Sequence, residues 1–369
     1  MLHQRGREVK IALLSMYRFE EVRGGTEIFI EHLRKAFPDL QVITYSSVER
    51  KRDLDLSRLS LEEAKKGFAI SRRFLELHRE EPFDLVIANS TAGWYLSMAR
   101  PDIPMVNIYH FTLRGLASEV LRGTPGYFPS RYLASLFEKV TSLGKINVAV
   151  SPKVAREMWD LYRIRSRVIE NGVPLDLFRP TPMEEAREAI GLRWNGPVAL
   201  FVGRADHTKG VDILMKVARQ RPDIRFLCVT SSPFENDCLE VRRNVPYQRM
   251  PLYYSAADLL LFPSRYESVG YTALEAMACD LPVVASRTGV FEDMTEGGIG
   301  RIVSSWDADD YLVAIDQVLG GPPLHPRSAV SARYSMERFV EDYRAMVKEA
   351  VTSYRIDRGG GAPSPLPRR

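Results

Sequence analysis

Two glutamates eight positions apart, Glu267 and Glu275, stand in the stretch "PSRYESVGYTALEAMACDLPVVAS", residues 263–286. A carboxylate accepts bidentately from vicinal hydroxyls such as those of a ribose or a hexose. Between the two, backbone amides from Gly270 through Tyr271 and Thr272 to Ala273, at a helix start, would suit a diphosphate. A local alternative stands beside this one. Thr272 to Glu275 also reads as a capping box, with Thr272 at the N-cap and Glu275 three residues on, which would leave Glu267 a plain loop charge. The stretch by itself leaves both open.

A second cluster lies in "LFVGRADHTKG", residues 200–210. An apolar run ends at Val202, Gly203 turns the chain, and Arg204 and Lys209 follow, with Lys209 opening a helix. Arginine offers a bidentate fork, lysine a point charge and a helix start its unused amides, all suited to phosphates. As an ordinary strand–turn–helix the same cations would simply be solvated. Gly24 and Gly25 in "RGGTE" open another helix and would let a backbone approach a bound group, although such pairs are most often turns. His110, in "NIYHFTLRG", falls just past a strand, where a titratable ring can serve chemistry or merely hydrogen-bond. Asp53 and Asp55 in "DLD" match a cation-holding carboxylate pair, but their highly charged segment reads as a solvated run. "DAD" at 307–309 suits a helix N-terminus.

These residues need a scaffold that delivers them to one edge, and the alternation of short apolar runs with helical patterns supplies it. In the first half the expected strands are 9–14, 40–45, 84–88, 104–109, 146–150 and 167–170, separated by helices such as 26–36, 61–79 and 151–162. Ser151 and Pro152 make an N-cap and first helical residue, with Val154, Met158 and Leu161 on one stripe. A second series follows at 197–203, 223–229, 258–262, 281–286 and 299–303, with helices near 209–220, 250–257, 272–279 and 307–319. "NGVPLDLFRPTPMEE" between the series reads as an interdomain connection. After residue 330 one amphipathic helix carries Met336, Phe339, Val340, Tyr343, Met346 and Val347 at helical spacing, and "RGGGAPSPLPRR" reads as disordered. Ligands in such sheets bind beyond the strand C-termini, and the unusual residues cluster there.

The 369 residues suit two domains, and 45% apolar with 27% charged residues is the balance of a globular chain. A net charge of +4 is too small for a dedicated nucleic-acid binder. The surplus falls in the first half, in "ERKRDLDLSRL", "EEAKKGFAISRRFLELHRE" and "YRIRSRV"; these are solvated helix faces or a basic face for anionic lipid or an anionic acceptor. No apolar stretch has bilayer length, "MLHQRGREVK" lacks a signal-peptide core, and Cys228, Cys238 and Cys279 share no metal or redox spacing, so a cytoplasmic setting is expected.

With "VGRADHTKG" and "PSRYESVGYTALEAMACDLPVVAS" both in view, the chain resembles the retaining GT-B glycosyltransferases of family 4, also called group 1. The likeness covers nearly the whole chain: the GG loop, the His after a strand, "ENGVPLDLF", GR…KG, the E-x7-E block and a C-terminal helix. It implies two doubly wound Rossmann-like domains facing across a cleft: an acceptor-side domain at 1–175 joined by a returning helix at 335–351, a donor domain at 176–330, and a tail at 356–369. It further implies that Arg204 and Lys209 bind the diphosphate of a UDP-, GDP- or ADP-sugar with no metal or cofactor. Glu275 would hold the ribose and Glu267 the donor sugar, amides at Gly203, Gly270, Tyr271 and Thr272 would contact phosphate and sugar, and His110 and Gly25 would approach from the N-terminal domain. The reaction would be retaining hexosyl transfer to a sugar, lipid-linked or small-molecule acceptor, in glycan, glycolipid or surface-polysaccharide synthesis. Acceptor loops would lie near 17–25, 90–95 and 110–130, the latter two holding Trp94, Tyr95, Phe111, Tyr127 and Phe128. A basic N-terminal face would suit peripheral contact at the inner side of a membrane. Departures from the family pattern are Ser268, Val269, Asp280, "RTGVFEDM" at 287–294, and Phe111 after His110. A nucleotide-sugar 2-epimerase and a non-catalytic sugar-nucleotide binder are the competing classes.

Overall fold

A computed structural model describes residues 3–4, 7–16, 25–45 and 59–359, and Asp53 and Asp55 lie outside them. The chain divides into two compact units, Met1–Glu170 with Phe339–Arg369, and Asn171–Arg338.

The first unit opens with a small antiparallel pair, β1 (His3–Gln4) and β2 (Arg7–Glu8). Its main sheet holds β3 (Ile11–Ser15), β4 (Gln41–Thr44), β5 (Leu85–Asn89), β6 (Met105–Tyr109), β7 (Ile146–Ala149) and β8 (Arg167–Val168), all parallel, in the order β4-β3-β5-β6-β7-β8. Every residue of β3, β5 and β6 is buried. That is why these strands read as unbroken apolar runs rather than as alternation: helices cover both faces of a parallel sheet. The 25–36 helix buries Phe29, Ile30 and Leu33. The ring of Phe29 stands edge-on to Phe339 and to Tyr343 of the Met336–Gly359 helix, each with centroids 5.7 Å apart. The stripe read from the sequence is thus the face by which residues 339–351 join this unit. Ser151 caps the 152–162 helix by accepting from Val154 N at 3.3 Å.

The second unit is also a six-stranded parallel sheet: β9 (Val198–Val202), β10 (Arg225–Thr230), β11 (Glu240–Arg243), β12 (Leu259–Phe262), β13 (Val283–Ser286) and β14 (Gly300–Val303), ordered β11-β10-β9-β12-β13-β14. The core between this sheet and its helices is built from residues such as Phe201, Ile213, Val217, Phe226, Tyr311 and Ile315. Strand order reverses between β9 and β12. A crevice opens beyond the strand C-termini at such a switch point, because the two flanking connections leave in opposite directions.

Candidate functional site

The loops that leave β9 and β12 meet at this switch point, and the contacts between them are unusually close. After Val202 the chain turns at Gly203, where an added Cβ would lie 3.7 Å from Lys209 Cγ. Arg204 Nε lies 3.1 Å from Asp206 Oδ2. Asp206 also caps the short turn His207–Lys209, accepting from Lys209 N at 3.1 Å. The α-helix itself starts two residues past Lys209, at Val211. Gly210 between them has φ 72°, and a Cβ there would sit 2.1 Å from the carbonyl oxygen of Pro263, at the end of β12. Only glycine allows this backbone-on-backbone approach.

Arg265 seals the same junction. Its amide donates to Thr208 O at 2.7 Å, and its guanidinium forks onto Asp212 at 2.7 and 2.8 Å while reaching His207 O. Burial works to raise the Asp212 carboxyl, but the hydrogen bonds and charge of Arg265 outweigh it and hold it low. Arg265 is thereby spent on structure, a role that a cation in a charged motif does not announce in sequence.

Glu267 lies two residues further along the same loop. Its Oε1 is 2.5 Å from Lys209 Nζ, so the two loops are also joined by an ion pair with side chains 24% and 12% exposed. The Glu267 amide donates to Thr288 Oγ1 at 3.0 Å. Gly289, at φ 60°, would place a Cβ 2.6 Å from Val269 O, and Val290 N donates to that same oxygen at 3.0 Å. The departing segment "RTGVFEDM" is therefore the brace behind Glu267, and Gly289 was its readable sign. Val269 is buried within this brace, whereas Ser268 stays half-exposed.

Gly270, at φ 92°, occupies the N-cap of the Tyr271–Ala278 helix with no side-chain cap. The capping box that Thr272–Glu275 offered as one of two readings is not formed. Thr272 is the second helical residue, and the Glu275 carboxylate turns instead to two phenols, Tyr247 at 2.8 Å and Tyr254 at 2.9 Å. Ala273 and Leu274 direct their amides to Gly270 O, and the two helical positions before them carry amides that the helix geometry does not use. Burial lifts the Glu275 carboxyl to about 7, against the lowering effect of the two tyrosine hydrogen bonds. Tyr247 and Tyr254 were not singled out from sequence, where they look like ordinary packing aromatics around Phe178.

The other two candidates lie in the first unit. His110 follows β6 and is 6% exposed; its Nε2 stands 3.2 Å from Asn89 Oδ1, and its ring is edge-on to Phe29 with centroids 4.7 Å apart. Burial lowers it to about 3, so it is neutral near pH 7. Gly25 is the exposed first residue of the 25–36 helix; Gly24 lies outside the described residues. Trp94 is engaged in packing, donating to Ala64 O at 2.9 Å and edge-on to Phe137. Among the described residues no group of three or more His, Cys, Asp and Glu could hold a metal ion. Nor is any helix among them long and apolar enough to cross a membrane.

Two doubly wound units, one with paired cations and carboxylates at its switch point, place the chain among the two-domain α/β proteins. Sequence comparison gives the family: residues 23–177 match the Glycosyltransferase Family 4 model and residues 182–334 match Glycosyl transferases group 1, and the chain belongs to these glycosyltransferases. A D-inositol 3-phosphate glycosyltransferase of Mycobacterium sp. (strain JLS) is 33% identical over 303 residues, 75% of this chain and 68% of the relative. The fold is the two-domain Rossmann-like GT-B fold. A sucrose-phosphate synthase from Thermosynechococcus elongatus superposes with TM-score 0.77 at 21% identity, covering 94% of this chain and all of that one. The Anabaena HepE protein, solved in complex with UDP-glucose, superposes with TM-score 0.72 at 18% identity over 93% of this chain and all of its own.

Proposed function

We propose that the chain is a retaining, metal-independent hexosyltransferase that moves a hexose from a nucleotide diphosphate sugar to a hydroxyl acceptor. The observation that carries this reading is the Lys209–Glu267 pair beside the helix start at 270–272, in the crevice between β9 and β12. Arg204 and Lys209 would take the diphosphate oxygens, with Gly203, Gly270, Tyr271 and Thr272 offering backbone to phosphate and sugar. Glu275, aimed by Tyr247 and Tyr254, would accept from the ribose hydroxyls, and Glu267 from those of the hexose. The bond between the anomeric carbon and the diphosphate oxygen breaks, and its electron pair leaves on the phosphate. The acceptor oxygen bonds to the same face of that carbon, and its proton passes to the departing phosphate oxygen. The chain's part is then to stabilise the charge that develops on the diphosphate, the work of fixed cations and amides. His110, being neutral, would donate or accept hydrogen bonds rather than exchange protons.

The UDP-glucose seen in the Anabaena neighbour supports a nucleotide-sugar donor. The inositol phosphate in the mycobacterial relative's name and the basic surplus of the first half favour an anionic or lipid-linked hydroxyl acceptor. A thermal-shift screen across UDP-, GDP- and ADP-sugars tests the donor: a ligand at about a hundred times its dissociation constant adds roughly 2.7 kcal/mol. The stabilising donor, labelled, is then incubated with and without acceptor and the product anomer read by NMR. Epimerised sugar nucleotide without acceptor would refute transfer. Binding with neither outcome would leave a sugar-nucleotide-binding protein.

A further inference from the structure

The helical segment from Pro129 to Ser142 is built inside out. Its inward face buries Ser130, Ser135, Glu138, Thr141 and Ser142. Three of the hydroxyls donate within the segment, Ser135 to Arg131 O at 2.7 Å, Thr141 to Phe137 O at 2.6 Å and Ser142 to Lys139 O at 2.7 Å, while Ser130 Oγ finds no hydrogen-bond partner among the described residues. Glu138 accepts from Leu113 N with both oxygens at 3.0 Å and from the Tyr162 hydroxyl. Its outward face carries Tyr132 and Leu136, flanked by Phe128 just before it and Leu143 just after it, each more than half exposed, the first three four residues apart and Leu143 two turns on. Met98, also more than half exposed, stands on the neighbouring Leu96–Ala99 turn, which ties to this helix through Ser97 and Thr141. An apolar stripe of this size left to water marks a surface that something covers.

We infer that this stripe seats on an anionic lipid surface. The exposed charges of residues 121–143 are all cationic: Arg122 and Lys139 are exposed, and the Arg131 guanidinium lies over the rings of Tyr127 and Tyr132. The one acid in that span, Glu138, is buried. Aromatic rings and cations on one face match a headgroup layer, with the rings at the apolar boundary and the cations among the phosphates. A second copy fits poorly, because a two-fold contact would bring two identical cationic faces together with no acid to offset them. The inference does not depend on the reaction proposed above.

Vesicle flotation of the full chain tests it, with phosphatidylcholine vesicles with and without phosphatidylglycerol. The chain should float with the anionic vesicles alone. Lys139→Glu should weaken partitioning at least about fivefold, on the scale of ~1 kcal/mol per basic residue at such a surface. Tyr132→Ser with Leu136→Ser should weaken it by about tenfold or more. Each variant should keep the circular dichroism and melting temperature of the parent chain, which separates loss of docking from loss of fold. Undiminished flotation in these variants, or equal flotation with neutral vesicles, would overturn the inference. So would a concentration-dependent dimer that the same substitutions abolish.

Discussion

Replacing Glu275 with Gln should make the protein more stable and less able to bind its donor. Glu275 is 5% exposed, and burial is the largest influence on its carboxyl, lifting it from 4.5 to about 7 while Tyr247 and Tyr254 pull the other way. In the unfolded chain the carboxyl titrates near its ordinary value. Below that value both states hold the proton, and the contribution to stability is complete. As pH rises through about 7 the folded chain must ionise a buried group, and the contribution is lost. The interval is worth on the order of 3 kcal/mol. Glutamine keeps the shape, carries no charge and can still meet both phenols. The variant should therefore lie within about 1 kcal/mol of the parent near pH 5 and gain about 2–3 kcal/mol on it near pH 8. Urea unfolding at the two pH values, followed by circular dichroism, reads the difference. Near pH 8, stabilisation by the sugar nucleotide should fall by about 1.5–3 kcal/mol through loss of hydrogen bonds to a charged acceptor. A stability difference that ignores pH would refute the buried ionisation. Undiminished donor binding would refute the ribose role.

Lys209→Ala should lower transfer about 10²–10³-fold, as removal of one preorganised charge-stabilising group does, and leave the circular dichroism unchanged; near-parental turnover would remove the phosphate assignment. Gly210→Ala meets the Pro263 carbonyl and a left-handed backbone, so at least ~2 kcal/mol of stability should go, together with donor binding; a loss below about 1 kcal/mol would mean the loops separate easily. Arg265→Lys exchanges a fork on Asp212 for a single point charge and should weaken donor binding about tenfold by letting the two loops drift, with the pH profile unchanged. If Arg204 and Lys209 neutralise the diphosphate as proposed, transfer should survive a chelator such as EDTA undiminished, and activity that EDTA abolishes and a divalent cation restores would refute that reading.

The buried strands were legible because parallel strands covered on both faces must be continuous apolar runs, and β3, β5, β9 and β12 each fall within a residue or two of the expected span. β11 was not, because "EVRR" sits at a sheet edge, where charge protects the open strand and hides its pattern. The helical segment at 129–142 misleads in another way: Tyr132 and Leu136 lie at helical spacing yet stay exposed, while Ser135, Glu138 and Thr141 are the buried ones, so its apolar stripe does not mark the face that packs inward. At the crevice Arg204, Lys209, Glu267 and Glu275 could be picked from the motifs. Their neighbours could not. Tyr247 and Tyr254 reach Glu275 from 28 and 21 positions away, and Thr288 reaches Glu267 from 21. Local spacing carries no trace of such pairings, which exist only once the sheet has aligned its loops.

The charges at the crevice are paired with one another. Lys209 is matched by Glu267 and Arg204 by Asp206, while Arg265 is neutralised by Asp212. Among the described residues at this crevice each of these cations already has a carboxylate partner, so a lone phosphate would gain little. On the proposed reading, a diphosphate bearing a nucleoside and a sugar would bring enough other contacts to part the pairs and take both cations at once. Glu267 would then be released toward the sugar as the leaving group is clamped. Arrival of the right donor, rather than of negative charge as such, would arm the site.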